Sequence, residues 1–245
     1  MDHGVVVYLN NILIYSDSEE EHIELVRKVQ GKLKEHQLSV SVTQWVFHVK
    51  LVEFLAYIVA TDGVTMSEGK VDFIKNWKRP QSVPEVQILI RFANFYARFI
   101  KEFSDICTPI TKTLKGDKIE FYWGPKKVKA LEELKTRFIT APIQEHLYPN
   151  WETVVEMDAS DFALGCVWSQ FKDKRLHQVA FHSRKLNSAE RNYEILDKEL
   201  LAILEAFKES KHELVGSDKP ITVYTDHQNP QNFLTIKVWN QRQIR

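Results

Sequence analysis

The sequence predicts an α/β (α+β) chain in which a β-hairpin and a helical region are followed by a mixed sheet with a crossover helix. Three observations carry that prediction. Val5 to Tyr15 is a pair of apolar, β-forming runs meeting at Asn10-Asn11. The stretch from Glu19 to Phe99 repeatedly spaces its apolar residues at three and four. Beyond Trp151, three strand-like runs precede a long amphipathic segment and a fourth strand, Ile221 to Thr225, an order that calls for a crossover.

In the first half, Asn10-Asn11 reads as a two-residue turn, since asparagine tolerates positive φ. Ser16 or Asp17 is placed to cap a helix with Glu19, Glu20 and Glu21 in its first turn, where acids complement the helix dipole. Ile23, Val26, Val29 or Gln30, and Leu33 mark its apolar face. Short strands are expected around Leu38 to Val42 and Val52 to Val59, with a turn at Asp62-Gly63. Ser82-Val83-Pro84-Glu85 forms a capping box ahead of Ile88, Phe92, Phe95, Tyr96 and Phe99, whose helical spacing assigns them to packing rather than base stacking.

A composition shift from Pro142 to Trp151 reads as a linker. Strands are then expected at Thr153 to Met157, Phe162 to Gln170 and Gln178 to His182, forming an antiparallel meander. Asn187-Ser188-Ala189-Glu190 marks a helix start, and the helix continues through Leu196, Leu200, Ile203 and Phe207. Glu199 lies on that apolar face, where a carboxylate is costly unless a cation or donor meets it. The crossover rule sets the Ile221–Thr225 strand parallel to the first. Asp158 and Asp226 then end neighbouring strands, with Glu199 leaning in from the helix. Three such carboxylates form an oxygen-rich site for Mg²⁺ or Mn²⁺, suited to two-metal phosphodiester hydrolysis. His227 is expected to be a satisfied or solvent-facing side chain rather than a ligand.

Composition bounds the rest. Apolar residues make up 44% of the 245, enough for a core without staples. Lys plus Arg (33) equals Asp plus Glu (33), so global charge neither marks nor excludes a nucleic-acid binder. Cys107 and Cys166 have no zinc or redox spacing, pointing to a reducing, intracellular setting, cytoplasmic or nuclear. No apolar run reaches the ~18 residues of a membrane span.

Longer stretches resemble Ty3/gypsy-type retrotransposon polyproteins. Tyr8-Leu9-Asn10-Asn11-Ile12-Leu13-Ile14-Tyr15 is similar to the Tyr-X-Asp-Asp metal turn of reverse transcriptases with both aspartates changed to asparagine. Val52-Glu53-Phe54-Leu55, Phe92-Ala93-Asn94-Phe95-Tyr96, Arg98-Phe99-Ile100 and Ala141-Pro142 resemble the region that follows. Met157-Asp158-Ala159-Ser160-Asp161, Ser183-Arg184-Lys185-Leu186, Asp197-Lys198-Glu199-Leu200-Leu201-Ala202-Ile203 and Thr225-Asp226-His227 resemble its ribonuclease H domain.

The resemblance implies a palm end and thumb over residues 1–65, a connection region over 66–145, and a C-terminally truncated ribonuclease H-like domain over 146–245. It makes Asp158, Glu199 and Asp226 the catalytic and metal-binding acids of a two-ion Mg²⁺ or Mn²⁺ site. Asp161 and Asp197 are read as turn and helix-surface residues. Neutral Asn10 and Asn11 form a degenerate polymerase turn, so polymerase activity is expected to be lost. No acid follows Asp226 where the family supplies a fourth carboxylate, which is expected to weaken metal binding, and the strand that should pair beside the Asp226 strand is expected to be missing, leaving a sheet edge open. Trp45 replaces a family cysteine, Ala56 and Arg91 replace glycines and Ala97 an arginine; Arg91 is expected to strain a close helix contact.

The expected partner is an RNA–DNA hybrid or other nucleic acid, with no membrane and with a complementing subunit left open. The cationic tail residues Lys237, Arg242 and Arg245 are read as a solvated stub or phosphate contact. Two functions follow: ribonuclease H-type hydrolysis of the RNA strand of a hybrid, or a non-catalytic, decayed or repurposed fragment that at most binds nucleic acid.

Overall fold

The structure, a computed structural model, describes residues 4–41, 43, 45–114, 121–214 and 219–225. Its contacts divide the chain into two units, Met1–Thr61 and Asp62–Arg245. The chain mixes helices with antiparallel and mixed sheets, as the sequence predicts.

In the first unit, β1 (Val5–Tyr8) pairs antiparallel with β2 (Asn11–Ile14), with Val5 opposite Ile14 and Tyr8 opposite Asn11. The turn is therefore Leu9-Asn10, one residue earlier than expected, with Leu9 at φ 52°. This register sets the valines of β1 against the Ile-Leu-Ile run of β2, and apolar pairing outweighs the turn preference of Asn11. Helix α1 (Glu19–Glu35) is capped by Ser18, whose hydroxyl accepts from the Glu21 N–H at 3.2 Å. Ser16 is not the cap because its hydroxyl donates to the Ser18 carbonyl. Ile23, Val26, Val29 and Leu33 are half-buried as the spacing predicts, while Gln30 is exposed. No strand forms over residues 38–41. The expected strand Val52–Val59 is instead a hairpin of β3 (Leu51–Phe54) and β4 (Tyr57–Ala60), turning at Leu55 and Ala56 with φ 52° and 65°. A turn without glycine or asparagine leaves no mark in the sequence.

The second unit opens with β5 (Gly63–Met66), bridged to Gln144 by Val64 N–H to Gln144 C=O (2.7 Å) and the reverse (2.9 Å). Four helices follow: α2 (Glu68–Lys75), α3 (Val83–Phe95), α4 (Phe103–Thr111) and α5 (Pro125–Ile139). Ser82 caps α3, accepting from the Glu85 N–H, but the Glu85 carboxylate accepts from the Gln81 N–H at 2.8 Å, one residue upstream of the predicted box. The buried face of α3 is Val86, Leu89, Ile90 and Ala93, with Tyr96 and Phe99 beyond it. Ile88 and Phe95, counted with the packing stripe, are 56% and 49% exposed. Arg91 is also exposed, so the expected strain does not arise. Phe92 and Tyr96 instead meet Phe138 of α5, with ring centroids 6.0 Å apart in each pair.

The predicted meander forms from β6 (Thr153–Ala159), β7 (Ala163–Lys172) and β8 (Arg175–Lys185), all antiparallel. β9 (Thr222–Thr225) lies parallel beside β6, giving the order β8-β7-β6-β9. Helix α6 (Ile195–Glu209) makes the crossover, followed by the single turn α7 (Lys211–Leu214). The reciprocal Asn187–Glu190 hydrogen bonds form as expected. They close only a 3-10 turn over Glu190–Asn192, because Tyr193 and Glu194 are extended, and α6 starts after them. Val155, Met157, Cys166, Trp168, Val179 and Ala180 pack against Ala206, Ile203 and Phe207 of α6.

The opposite sheet face meets α4, where the Ser104 N–H donates to Ser183 Oγ (2.8 Å) and Ser104 Oγ donates to the Ser183 carbonyl (3.0 Å). The expected linker Pro142–Trp151 is pinned rather than loose. Gln144, 1% exposed, bonds Arg98 through both ends of its amide, and Gln170 holds both the N–H and the carbonyl of Tyr148. Side-chain amides satisfying backbone groups give this segment its order despite its loop composition. Among the described residues, no helix is long and apolar enough to cross a membrane.

Two turn positions give opposite expectations. Ala56 holds a left-handed φ that glycine adopts freely, so Ala56→Gly should stabilise the chain by ~1 kcal/mol in urea denaturation. Gly63 has φ 138°, and a Cβ there would lie 2.2 Å from the Gln144 carbonyl oxygen. Gly63→Ala should therefore lower stability by at least ~2 kcal/mol; an unchanged midpoint in either variant contradicts the turn geometry.

Candidate functional site

Strand alternation and register decide where each predicted acid can act. Val155 and Met157 face α6, so Asp158 at the end of β6 points to the face met by α4, in one cross-strand row with Gly165 and Ser183. It is exposed and lines a shallow pocket with Glu156, Gly165, Lys101 and Glu102. Glu199 comes from the other side. It sits in the first turns of α6 at 1% exposure, and its Oε2 accepts from Thr225 Oγ1 at 2.9 Å. Thr225 is the last residue of β9 and pairs in register with Met157, the residue before Asp158. The two described carboxylates thus share the C-terminal end of β6 and β9 and approach it from opposite faces. The third acid, Asp226, lies outside the described residues, as do His227, Lys237, Arg242 and Arg245.

Among the described residues no three of His, Cys, Asp and Glu gather closely enough to hold a metal ion. The donor chemistry at the strand end is nonetheless that of a hard cation: carboxylate oxygens, with a buried one held in place by a hydroxyl. Asn10 and Asn11 are exposed, and Asn11 Nδ2 donates to Asn10 Oδ1 at 3.3 Å, so the two amides engage each other.

Neighbouring groups tune this end of the sheet. Asp105 of α4 has its carboxyl pushed above the ordinary carboxylate range by burial, then by the charges of Glu102 and Asp158, against opposing effects of Ser160 and Lys185. Asp105 leaves no mark in the sequence, because a lone acid in a helix looks like surface. Asp197, expected on the helix surface, is buried at 7% exposure; Asp161 is in a turn as expected and pairs with Lys198 at 3.1 Å. Arg184 of β8 clasps both the Glu190 turn (3.0 Å) and Glu205 of α6 (3.1 Å), fixing the helix that carries Glu199. Burial alone would raise Glu190, but the Arg184 and Asn187 hydrogen bonds outweigh it and hold its carboxyl below the ordinary range. Cys107 and Cys166 are free, and burial pushes both thiols up to about 12, which makes them inert at neutral pH.

Residues 123–223 match the model of the RNase H-like domain found in reverse transcriptase. The chain is 34% identical over 226 residues to the transposon Tf2-7 and Tf2-8 polyproteins of Schizosaccharomyces pombe, covering 92% of this chain. It spans only 17% of the length of those relatives. Among solved structures it is similar in fold to a foamy viral protease-reverse transcriptase dRH in complex with double-stranded DNA (TM-score 0.82, 22% identity, 99% of this chain and 43% of that one). It is also similar to a foamy viral protease-reverse transcriptase in complex with RNA/DNA hybrid (TM-score 0.79, 22% identity, 99% and 33%).

His182 provides a check on the packing around the site. Burial holds its pKa below the ordinary value of 6.5, with Glu209 and Glu205 opposing and Arg184 adding to the effect. The unfolded chain therefore binds this proton more readily, so His182 should erode stability as pH falls below about 6.5 and cost nothing above it. Urea midpoints at pH 5.5 and 7.5 should converge in His182→Asn relative to the parent; an equal pH difference in both proteins contradicts the burial.

Proposed function

We propose, for a chain that belongs to the Ty3/gypsy-type retrotransposon polyproteins as a reverse transcriptase/ribonuclease H-like fragment, that its chemistry is hydrolysis of the RNA strand of RNA–DNA hybrids. Asp158, Glu199 and Asp226 carry it. The observation that supports this reading is the Thr225–Glu199 hydrogen bond at the end of a strand in parallel register with β6. A buried glutamate on an otherwise apolar helix face is expensive, and here its carboxylate meets Thr225, which immediately precedes Asp226 and pairs in register with Met157, the residue before Asp158. The solved foamy viral reverse transcriptases that share this fold are complexes with DNA and with RNA/DNA hybrid, which supports nucleic acid as the partner.

In this reading Asp158, Glu199 and Asp226 would hold Mg²⁺ or Mn²⁺, whose chemistry is to neutralise the charge that develops on the scissile phosphate. The chain's own contribution is placement. The Thr225 hydroxyl fixes one oxygen of Glu199, and the Arg184 clasp fixes the helix behind it. Asp158 faces solvent, where a backbone phosphate can reach it, with Lys101 on the rim of the same pocket to offset charge. Polymerisation is not part of the proposal: the amides of Asn10 and Asn11 lack the anionic oxygens that two divalent ions require, and they bond to each other. That same turn favours the second reading, a non-catalytic fragment that binds nucleic acid without turning it over.

A labelled RNA–DNA hybrid separates the two. The folded chain should cleave it with Mg²⁺ or Mn²⁺ and stop on chelation. Asp158→Asn and Glu199→Gln should each slow cleavage by at least ~100-fold with thermal midpoints near the parent's. Salt-dependent binding without cleavage would support the second reading, and cleavage that survives Asp158→Asn would sink the assignment of these acids.

A further inference from the structure

At the end of the sheet remote from Asp158, aromatic rings and cations lie side by side in a way the proposed hydrolysis does not use. Tyr148 and Trp151 have ring centroids 4.3 Å apart at 30°. Tyr148 is 38% exposed, yet its backbone is fixed, because Gln170, 1% exposed, accepts from its N–H at 2.9 Å and donates to its carbonyl at 2.8 Å. The β7–β8 hairpin ends beside this pair in Lys172-Asp173-Lys174-Arg175, turning at Asp173 and Lys174 with φ 49° and 62°. Lys172 Nζ lies 5.6 Å from the Trp151 ring centroid.

The charges can be assigned one by one. Lys172 donates to the Glu145 carboxylate at 2.9 Å, and His177 Nδ1 lies 3.8 Å from the same oxygen. Glu145 is therefore the internal counterion of Lys172, and the Asp173 charge acts on the same ammonium. Lys174 and Arg175 are exposed and make no ion pair among the described residues. Two cations at the hairpin tip, beside a partly exposed aromatic stack whose Tyr148 backbone is clamped by Gln170, match the combination that holds single-stranded nucleic acid: a ring for a base and cations for the flanking phosphates. A purely structural cover for a sheet edge needs neither the cations nor the backbone clamp on Tyr148.

We propose that Tyr148 and Trp151, with Lys174 and Arg175, form a contact for an unpaired nucleotide of a single-stranded nucleic acid. The base stacks on the Tyr148 ring and the adjoining phosphates meet the hairpin tip. Thr153, which bonds Gln170 at 2.9 Å, and Asp158 are five residues apart on one strand, which at ~3.3 Å per residue sets the contact about 17 Å from the candidate hydrolytic end. The two sites are thus separate, and this one requires no metal.

The test is fluorescence anisotropy of a fluorescein-labelled twelve-residue oligothymidylate with the full chain in EDTA, conditions in which hydrolysis plays no part. The parent should bind; Tyr148→Ala should weaken binding by about tenfold or more while Tyr148→Phe retains it. The exposed pair Lys174→Gln/Arg175→Gln should weaken binding and flatten its salt dependence without moving the thermal midpoint. No binding by the folded parent, or parent-like affinity in both Tyr148→Ala and the double variant, overturns the proposal, and neither result bears on hybrid cleavage.

Discussion

The parallel pairing of β9 with β6 is the constraint on which the second unit depends. Parallel neighbours cannot be joined by a tight turn, so the chain must cross over the sheet, and α6 is that crossover. Once α6 lies on the sheet, its small residues Ala202 and Ala206 allow close approach, and Trp168 and Phe207 fill the space beside them with rings 5.8 Å apart. The same placement buries Glu199. A carboxylate there is helped by meeting a donor, the Thr225 hydroxyl at the end of the strand that required the crossover. Fold and candidate chemistry therefore share one cause.

The opposite face of the sheet adds polar contacts to an apolar layer that includes Val154, Val167 and Phe181 of the sheet and Phe103, Cys107 and Ile110 of α4. Ser104 and Ser183 exchange two hydrogen bonds, Lys185 reaches Thr111, and Asp105, already raised by burial and Glu102, also feels the charge of Asp158. Asp158, at the end of β6, stays exposed while the apolar residues of this face are covered. The exposed acid and the buried acid at one strand end differ in environment for this reason, and the difference follows from which face each residue's alternation selects.

Much of this was legible in the sequence, and where it was not the cause is physical. The meander, the crossover and the parallel return strand follow from apolar periodicity and the handedness rule, and the suspicion attached to Glu199 followed from its place on an apolar stripe. Turns made by residues without a turn preference were not legible: Leu9, Leu55 and Ala56 hold positive φ because pairing of the flanking strands demands it. Nor was the order of Pro142–Trp151, which depends on the side chains of Gln144 and Gln170 reaching backbone groups distant in sequence. Ile88 and Phe95 fit a helical stripe numerically yet face outward, since α3 buries the neighbouring face of Val86, Leu89, Ile90 and Ala93. Periodicity identifies a face; which neighbour covers it is decided by the tertiary contacts.

The central claim is that Asp158 and Glu199 act as one ion-binding end of the sheet. Calorimetric titration of Mn²⁺ into the folded chain, without nucleic acid, tests it most directly. The account predicts saturable binding that is lost in both Asp158→Asn and Glu199→Gln and unchanged in Asn10→Ala. Binding that persists undiminished in the two carboxylate variants would contradict it.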